Sequence, residues 1–307
     1  MAQFVVQGHL ITKDEIPPLD EKYYGLDETE TAFFKQQTGI SDDDELKKHI
    51  VRIQAEAYEV YPYPCIRRFT WTKLKISKLF PYKDFLRLGA EREGAIYLDL
   101  GCCFGNDPRK AIADGYPAQN VVASDLYQAF WDLGQNLFKT TSETYPVTFV
   151  AGDAFDPAHL ETVPPFTIAS PPTTPRPILS ELKSLNPLRG HVSAIHTSSF
   201  FHLFDENGQQ RLAHAVAGLL SPEPGSMIFG QHSGLPQKGF RMSSFLAREG
   251  FAHGPDSWRE LWDGEVFAKG TVKVETELKE VDSRELKFGE FPEGFKSYLF
   301  IWKVIRL

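Results

Sequence analysis

The chain has 307 residues, 42% of them apolar and 24% charged, with a formal net charge of −8 and a pI near 5.6. That length can bury a sizeable core and suits one elaborated domain with an extension. The acidic balance excludes a nucleic-acid backbone as the general partner, and no stretch nears the ~20 apolar residues of a membrane span.

Residues 1–30 show no sustained period and read as an arm or loops. The N-terminus lacks a basic start and a long apolar run, so a soluble, untargeted, cytoplasmic protein is expected. A short helix follows over 31–37, stopped by Gly39. Ser41-Asp-Asp-Asp has capping-box spacing, and Leu46, Ile50, Ile53 and Ala57 then fall on one stripe of a helix ending near Tyr58.

Tyr61-Pro-Tyr-Pro-Cys-Ile-Arg-Arg-Phe69 must start extended, because each proline drives the preceding residue out of the helical region. Tyr61, Tyr63, Arg67 and Arg68 are candidates for a substrate site, set against the plainer reading of a proline-rich connection with its aromatics packed inward. The basic run from Arg67 to Arg87 reads as a solvated face. The cysteines are Cys65, Cys102 and Cys103, with no CxxC pair. Neither a disulfide framework nor a zinc site is indicated, and no acidic cluster argues for another metal.

The centre of the chain is Ala-Ile-Tyr-Leu-Asp-Leu-Gly-Cys-Cys-Phe-Gly, residues 95–105. An apolar strand bearing Asp99 meets two glycines, Gly101 and Gly105, and Asp107-Pro108 then reads as an N-cap and first helical residue. Such a strand, glycine turn and helix start brings backbone amides close to a nucleotide-like ligand. A second apolar strand ends in Asp125-Leu126 about 20 residues later, where ribose hydroxyls are met, and a third ends in Asp153-Ala154-Phe155.

Strand four has two candidates. The segment 165–170 runs into Ser170-Pro171-Pro172, and the segment 191–196 runs into Thr-Ser-Ser-Phe-Phe-His-Leu-Phe. The second fits better, since a helix over 205–220 and a strand over 225–232 follow it; 157–190 then becomes an insertion with a short helix near 178–185. Helices over 243–249 and 255–266 and β segments over 271–281 and 296–305 complete the pattern, with Trp258, Leu261 and Trp262 on one core face.

Asp99-x-Gly101-x-Cys103-x-Gly105 resembles motif I of the class I S-adenosylmethionine methyltransferases, with Cys103 where the middle glycine usually stands. The tyrosine-proline segment, the 99–105 loop and Ser-Ser-Phe-Phe-His-Leu-Phe-Asp together resemble fungal methyltransferases of polyketide and meroterpenoid pathways. The resemblance implies an α/β Rossmann-like fold, with a seven-stranded mostly parallel sheet and helices on both faces. It implies a helical extension over 1–90 acting as a lid on the acceptor, and a cofactor domain over 91–307. For the cofactor it implies Asp99, Gly101, Cys103 and Gly105 in the loop, Asp125 at the ribose and Asp153 at the adenine amino group. Leu126, Ala154 and Phe155 would line the adenine, and Ser198 would lie near the methyl.

The implied reaction is transfer of a methyl group from S-adenosylmethionine to a hydroxyl or carboxylate of a small aromatic or terpenoid metabolite, leaving S-adenosylhomocysteine. A hydroxyl needs a base, for which His196, His232 and His202 are candidates, whereas a carboxylate is already ionised and could be oriented by Arg67 or Arg68. Phe200 is expected beside the acceptor. N- or C-methylation, suggested by Ser170-Pro-Pro, and a cofactor-binding protein that has lost transfer remain open, as does the oligomeric state.

Overall fold

The computed structural model describes residues 4–6, 9–11, 16–242, 249–281 and 296–307. In chain order its helices are α1 (Glu28–Thr38), α2 (Asp43–Val60), α3 (Pro64–Arg67), α4 (Tyr82–Glu91), α5 (Asn106–Ala113), α6 (Gln128–Phe138), α7 (Glu206–Ala217) and α8 (Pro255–Trp262). The strands of the main sheet are β1 (Ile96–Leu100), β2 (Val121–Asp125), β3 (Thr148–Ala151), β4 (Val192–Ser198), β5 (Met227–Ser233), β6 (Val272–Val281) and β7 (Ser297–Arg306). The helix expected over 243–249 lies outside the described residues but for its last position, which is strand. Among the described residues no helix is long and apolar enough to cross a membrane.

The chain forms two compact units, residues 1–74, 103–106 and 128–145 in the first and 75–102, 107–127 and 146–307 in the second. In the first, α1 starts with a reciprocal cap between Asp27 and Glu30 and stops at Gly39, whose φ is 70°. Such a cap satisfies two otherwise orphaned donors. Glu30 is fully buried and also pairs with Lys73 Nζ at 2.6 Å, tying the start of α1 to the chain beyond α3. The start of α2 is capped by Asp42 rather than Ser41, and its predicted stripe of Leu46, Ile50, Ile53 and Ala57 is buried. His49 Nε2 lies 2.8 Å from Leu137 O, and the Phe34 and Phe138 rings stack at 5.7 Å.

The second unit is built on the seven-stranded sheet, in the order β6-β7-β5-β4-β1-β2-β3. Strand β7 runs antiparallel to β5 and β6, and the β3-β2-β1-β4-β5 ladder is parallel throughout. β1 is buried at every position, as a parallel strand covered on both faces requires. The chain leaves β1 toward β2 and β3 on one side, then returns to lay β4 and β5 on the other. That reversal puts a topological switch point between β1 and β4, where ligands of open α/β sheets bind.

Two further local expectations are corrected, and the choice of strand four is decided. Helix α5 already begins at Asn106, so Asp107 is not its cap; the Asp107 carboxylate instead accepts from Ile76 N at 3.1 Å. Near 178–185 no α-helix forms, only 3-10 turns at Leu179–Glu181 and Asn186–Leu188. At Thr167 and Ser170 there is only an isolated bridge, so strand four is β4, the preferred reading, and Ser170-Pro-Pro sits in the exposed insertion.

Candidate active site at the β1 and β4 tips

Asp99 on β1 and His196 on β4 are register partners on neighbouring parallel strands. The His196 Nδ1–H donates to Asp99 Oδ1 at 2.6 Å, with both side chains almost fully buried. Burial pushes the Asp99 pKa up, and the adjacent imidazole only partly opposes it. Burial alone would lower His196, but the charge and hydrogen bond of Asp99 outweigh it and raise the imidazole above its ordinary value. The pair therefore holds a shared proton to higher pH than a free imidazole does. His196 Nε2 is buried without a partner among the described residues.

Beyond His196 the chain turns sharply. Ser199 has φ 56°, a left-handed position for a residue with a side chain, and its Oγ accepts from Lys75 Nζ at 3.4 Å. Phe200, expected at the acceptor, packs over the glycine turn: a Cβ on Gly101 would lie 2.9 Å from the Phe200 ring. Gly101 also has φ 78°, so a side chain there fails on both counts. The turn is pinned by Gly101 N and Cys102 N, which both donate to Ser124 O. In the first unit, Cys103 has φ 50° and Gly105 φ 73°. Cys103 thus keeps the backbone conformation for which a glycine is the usual choice. It does so at the cost of roughly 1–2 kcal/mol for a side chain in the left-handed region.

The tips of β4, β1, β2 and β3 lie side by side in the sheet. At the β2 tip Asp125 is half-buried and accepts from Tyr127 N at 3.2 Å, while Leu126 beside it is 51% exposed. At the β3 tip Asp153 is exposed and accepts from Phe155 N at 2.9 Å, and Ala154 is buried. The half-buried Phe155 ring meets Phe204 at 4.8 Å and carries the Arg211 guanidinium at 5.0 Å. Acceptors for hydroxyl and amino hydrogens next to an uncovered apolar side chain suit a nucleoside, so these residues fit the implied cofactor.

The remaining histidines are of a different kind. His232 on β5 is buried among Phe201, Trp258, Phe300 and Trp302; its Nδ1 accepts from Trp302 Nε1 at 3.1 Å, and burial pushes its pKa down to about 3. His202, in the turn Phe201–Leu203, is held well below its ordinary value by burial and then by Arg241, His232 and Lys75.

The tyrosine-arginine segment lies in the first unit. Tyr61 and Tyr63 have ring centroids 4.2 Å apart, Arg67 Nε donates to Pro18 O at 2.8 Å with its guanidinium over Tyr23, and Arg68 is buried. Lys75 and Arg241 were missed from sequence. Lys75 is concealed in the basic run, and Arg241 stands in a strand, Gly239–Met242, with no motif around it.

Residues 20–72 match the family of the meroterpenoid methyltransferase N-terminal domain. The chain is 30% identical to O-methyltransferase phiE of Fungal sp. (strain ATCC 74256) over 77% of its length and 70% of the relative's. It is 32% identical to the asnovolin E/chermesin D methyltransferase nvfJ of Aspergillus novofumigatus, over 71% of this chain and 69% of that one. A solved S-adenosylmethionine-dependent methyltransferase from Mesorhizobium loti superposes with a TM-score of 0.43 at 14% identity, covering 75% of this chain and 100% of that one. The two fungal relatives decide the assignment: the chain belongs to the fungal secondary-metabolite O-methyltransferases, S-adenosylmethionine-dependent enzymes.

Proposed function

We propose that the protein methylates a carboxylate oxygen of a small aromatic polyketide or terpenoid acid. The relative phiE, an O-methyltransferase, supports oxygen as the acceptor atom. The observation that carries carboxylate over hydroxyl is the Asp99–His196 pair. His196 Nδ1–H is committed to Asp99 and its Nε2 is buried, while burial pushes His202 and His232 down, so none of the three is an accessible base of ordinary strength. An ionised carboxylate needs no such base.

When bound, S-adenosylmethionine supplies an electrophilic methyl group. Asp125 would hold the ribose hydroxyls, Asp153 the adenine amino group, and Leu126 and Phe155 the faces of the base, with Gly101 giving close backbone approach and Ala154 and Ser198 beside them. Asp99 enters this reading as the counter-charge of His196 rather than as a cofactor ligand. The buried pair closes the floor between β1 and β4 without presenting a free charge to a cationic sulfonium. The division expected from sequence, acceptor binding by residues 1–90 and cofactor binding by 91–307, belongs to the same proposal.

Calorimetric titration with S-adenosylmethionine and S-adenosylhomocysteine, with NADH as control, tests the cofactor. Binding of both sulfur compounds, followed by label transfer from methyl-labelled S-adenosylmethionine to acids, is expected. Binding of NADH alone, or label confined to neutral phenols, would contradict it.

A further inference from the structure

Two half-buried cations of the second unit have no counter-charge among the described residues. Lys75 reaches the tip of β4, where its Nζ donates to Ser199 Oγ at 3.4 Å. Arg241 is half-buried, and its Nε is shielded from solvent without a hydrogen-bond partner among the described residues. Neither has an ion-pair partner among those residues, whereas three other shielded cations of the same unit do: Arg92 with Glu223, Lys110 with Asp114 and Lys303 with Glu275.

The two converge on one place. The turn Phe201–Leu203 begins two residues after Ser199, and the strand paired with that of Arg241 packs on this turn. Both cations act on His202 within it, and the buried His202 Nδ1 is itself unpartnered among the described residues. Shielding cations from water without a counter-ion is unfavourable, so such a cluster is built for an anion that arrives.

We propose that Lys75 and Arg241 anchor the acceptor's carboxylate at the β4 tip and so select acids over their neutral analogues. The proposal deepens, and rests on, the reading of the protein as a methyltransferase of acids. A guanidinium fixes the plane of a carboxylate, and an ammonium adds a point charge from a second direction. A carboxylate offers about four lone-pair positions, so two anchors leave a lone pair for the methyl group.

The test is calorimetry on the full chain saturated with S-adenosylhomocysteine, using 2,4-dihydroxybenzoate and abietate as an aromatic and a terpenoid acid. Their uncharged counterparts, 2,4-dihydroxybenzamide and abietol, serve as controls. At least one acid binds and its neutral counterpart does not, and Lys75→Gln and Arg241→Gln each weaken the acid by about tenfold to a hundredfold. Arg241→Lys recovers part of that loss, while S-adenosylhomocysteine binding, measured separately, stays unchanged in every variant. The anchoring proposal is overturned if neither acid binds at millimolar concentration, if acid and neutral analogue bind alike, or if the Gln variants keep wild-type affinity for the acid. Loss of S-adenosylhomocysteine binding in the wild type would instead bring down the methyltransferase reading itself.

Discussion

Asp99 and His196 face each other across the two strands at which the sheet reverses direction, 2.6 Å apart and almost wholly buried. The chain brings a carboxylate and an imidazole from positions 97 residues apart to the floor of its switch point. Asp99→Asn keeps an acceptor for Nδ1–H and removes the charge. The variant loses about 1–3 kcal/mol of stability, and the His196 pKa falls. Proton NMR titration reads the second effect: the His196 ring releases its proton at lower pH in Asp99→Asn than in the wild type.

The pair and the depressed histidines make opposite demands on pH. Asp99 and His196 titrate higher folded than unfolded. The His196 contribution is therefore complete below its unfolded value of 6.5 and is lost as the pH rises through the raised folded value. His232 and His253 are pushed to about 3 and about 4, so the fold loses stability as the pH falls below 6.5 and the unfolded chain takes up protons. Each costs about 1.4 kcal/mol per pH unit in that window, or about 2 kcal/mol by pH 5. In His232→Asn, which can still accept from Trp302, urea unfolding shows an acid limb flatter by about that amount.

The glycine turn separates backbone from side-chain requirements. Gly101→Ala meets both a φ of 78° and the Phe200 ring, and loses S-adenosylhomocysteine binding together with about 2–3 kcal/mol of stability. At Cys103 the backbone is left-handed already. Cys103→Gly relieves that strain but adds chain entropy to the unfolded state, and changes stability by less than about 0.5 kcal/mol; Cys103→Val costs roughly 1–2 kcal/mol. Thermal melts of the two variants side by side check the difference.

If the acceptor is a carboxylate, turnover does not wait on a histidine. The kcat of the wild type with an acid acceptor is flat from pH 6.5 to 9. A rising limb with an apparent pKa near 7 would point to a base and to a hydroxyl acceptor.

What the sequence disclosed was whatever is local. The order of strands and helices follows from apolar runs, caps and glycine stops, as with the Leu46, Ile50, Ile53 and Ala57 stripe of α2. Asp99, Gly101 and Gly105 announce a ligand loop by spacing alone. The partnership of Asp99 with His196 had no local sign, because only the parallel register of β1 and β4 creates it. Phe200 gave an aromatic near the right place, but its contact with Gly101 belongs to the tertiary fold. In the sequence Lys75 belongs to a basic run that reads as a solvated face, and only its half-burial and its bond to Ser199 set it apart from its neighbours.

The most direct test is the bond that carries the transferred methyl group. The wild-type protein is incubated with methyl-labelled S-adenosylmethionine and a mixture of hydroxylated aromatic and terpenoid acids, and the labelled product is treated with mild alkali. Release of the label as methanol identifies an ester, the product of carboxylate methylation, and is the predicted result. Label that stays bound through alkali identifies an ether or a methylated carbon or nitrogen, and would contradict the account.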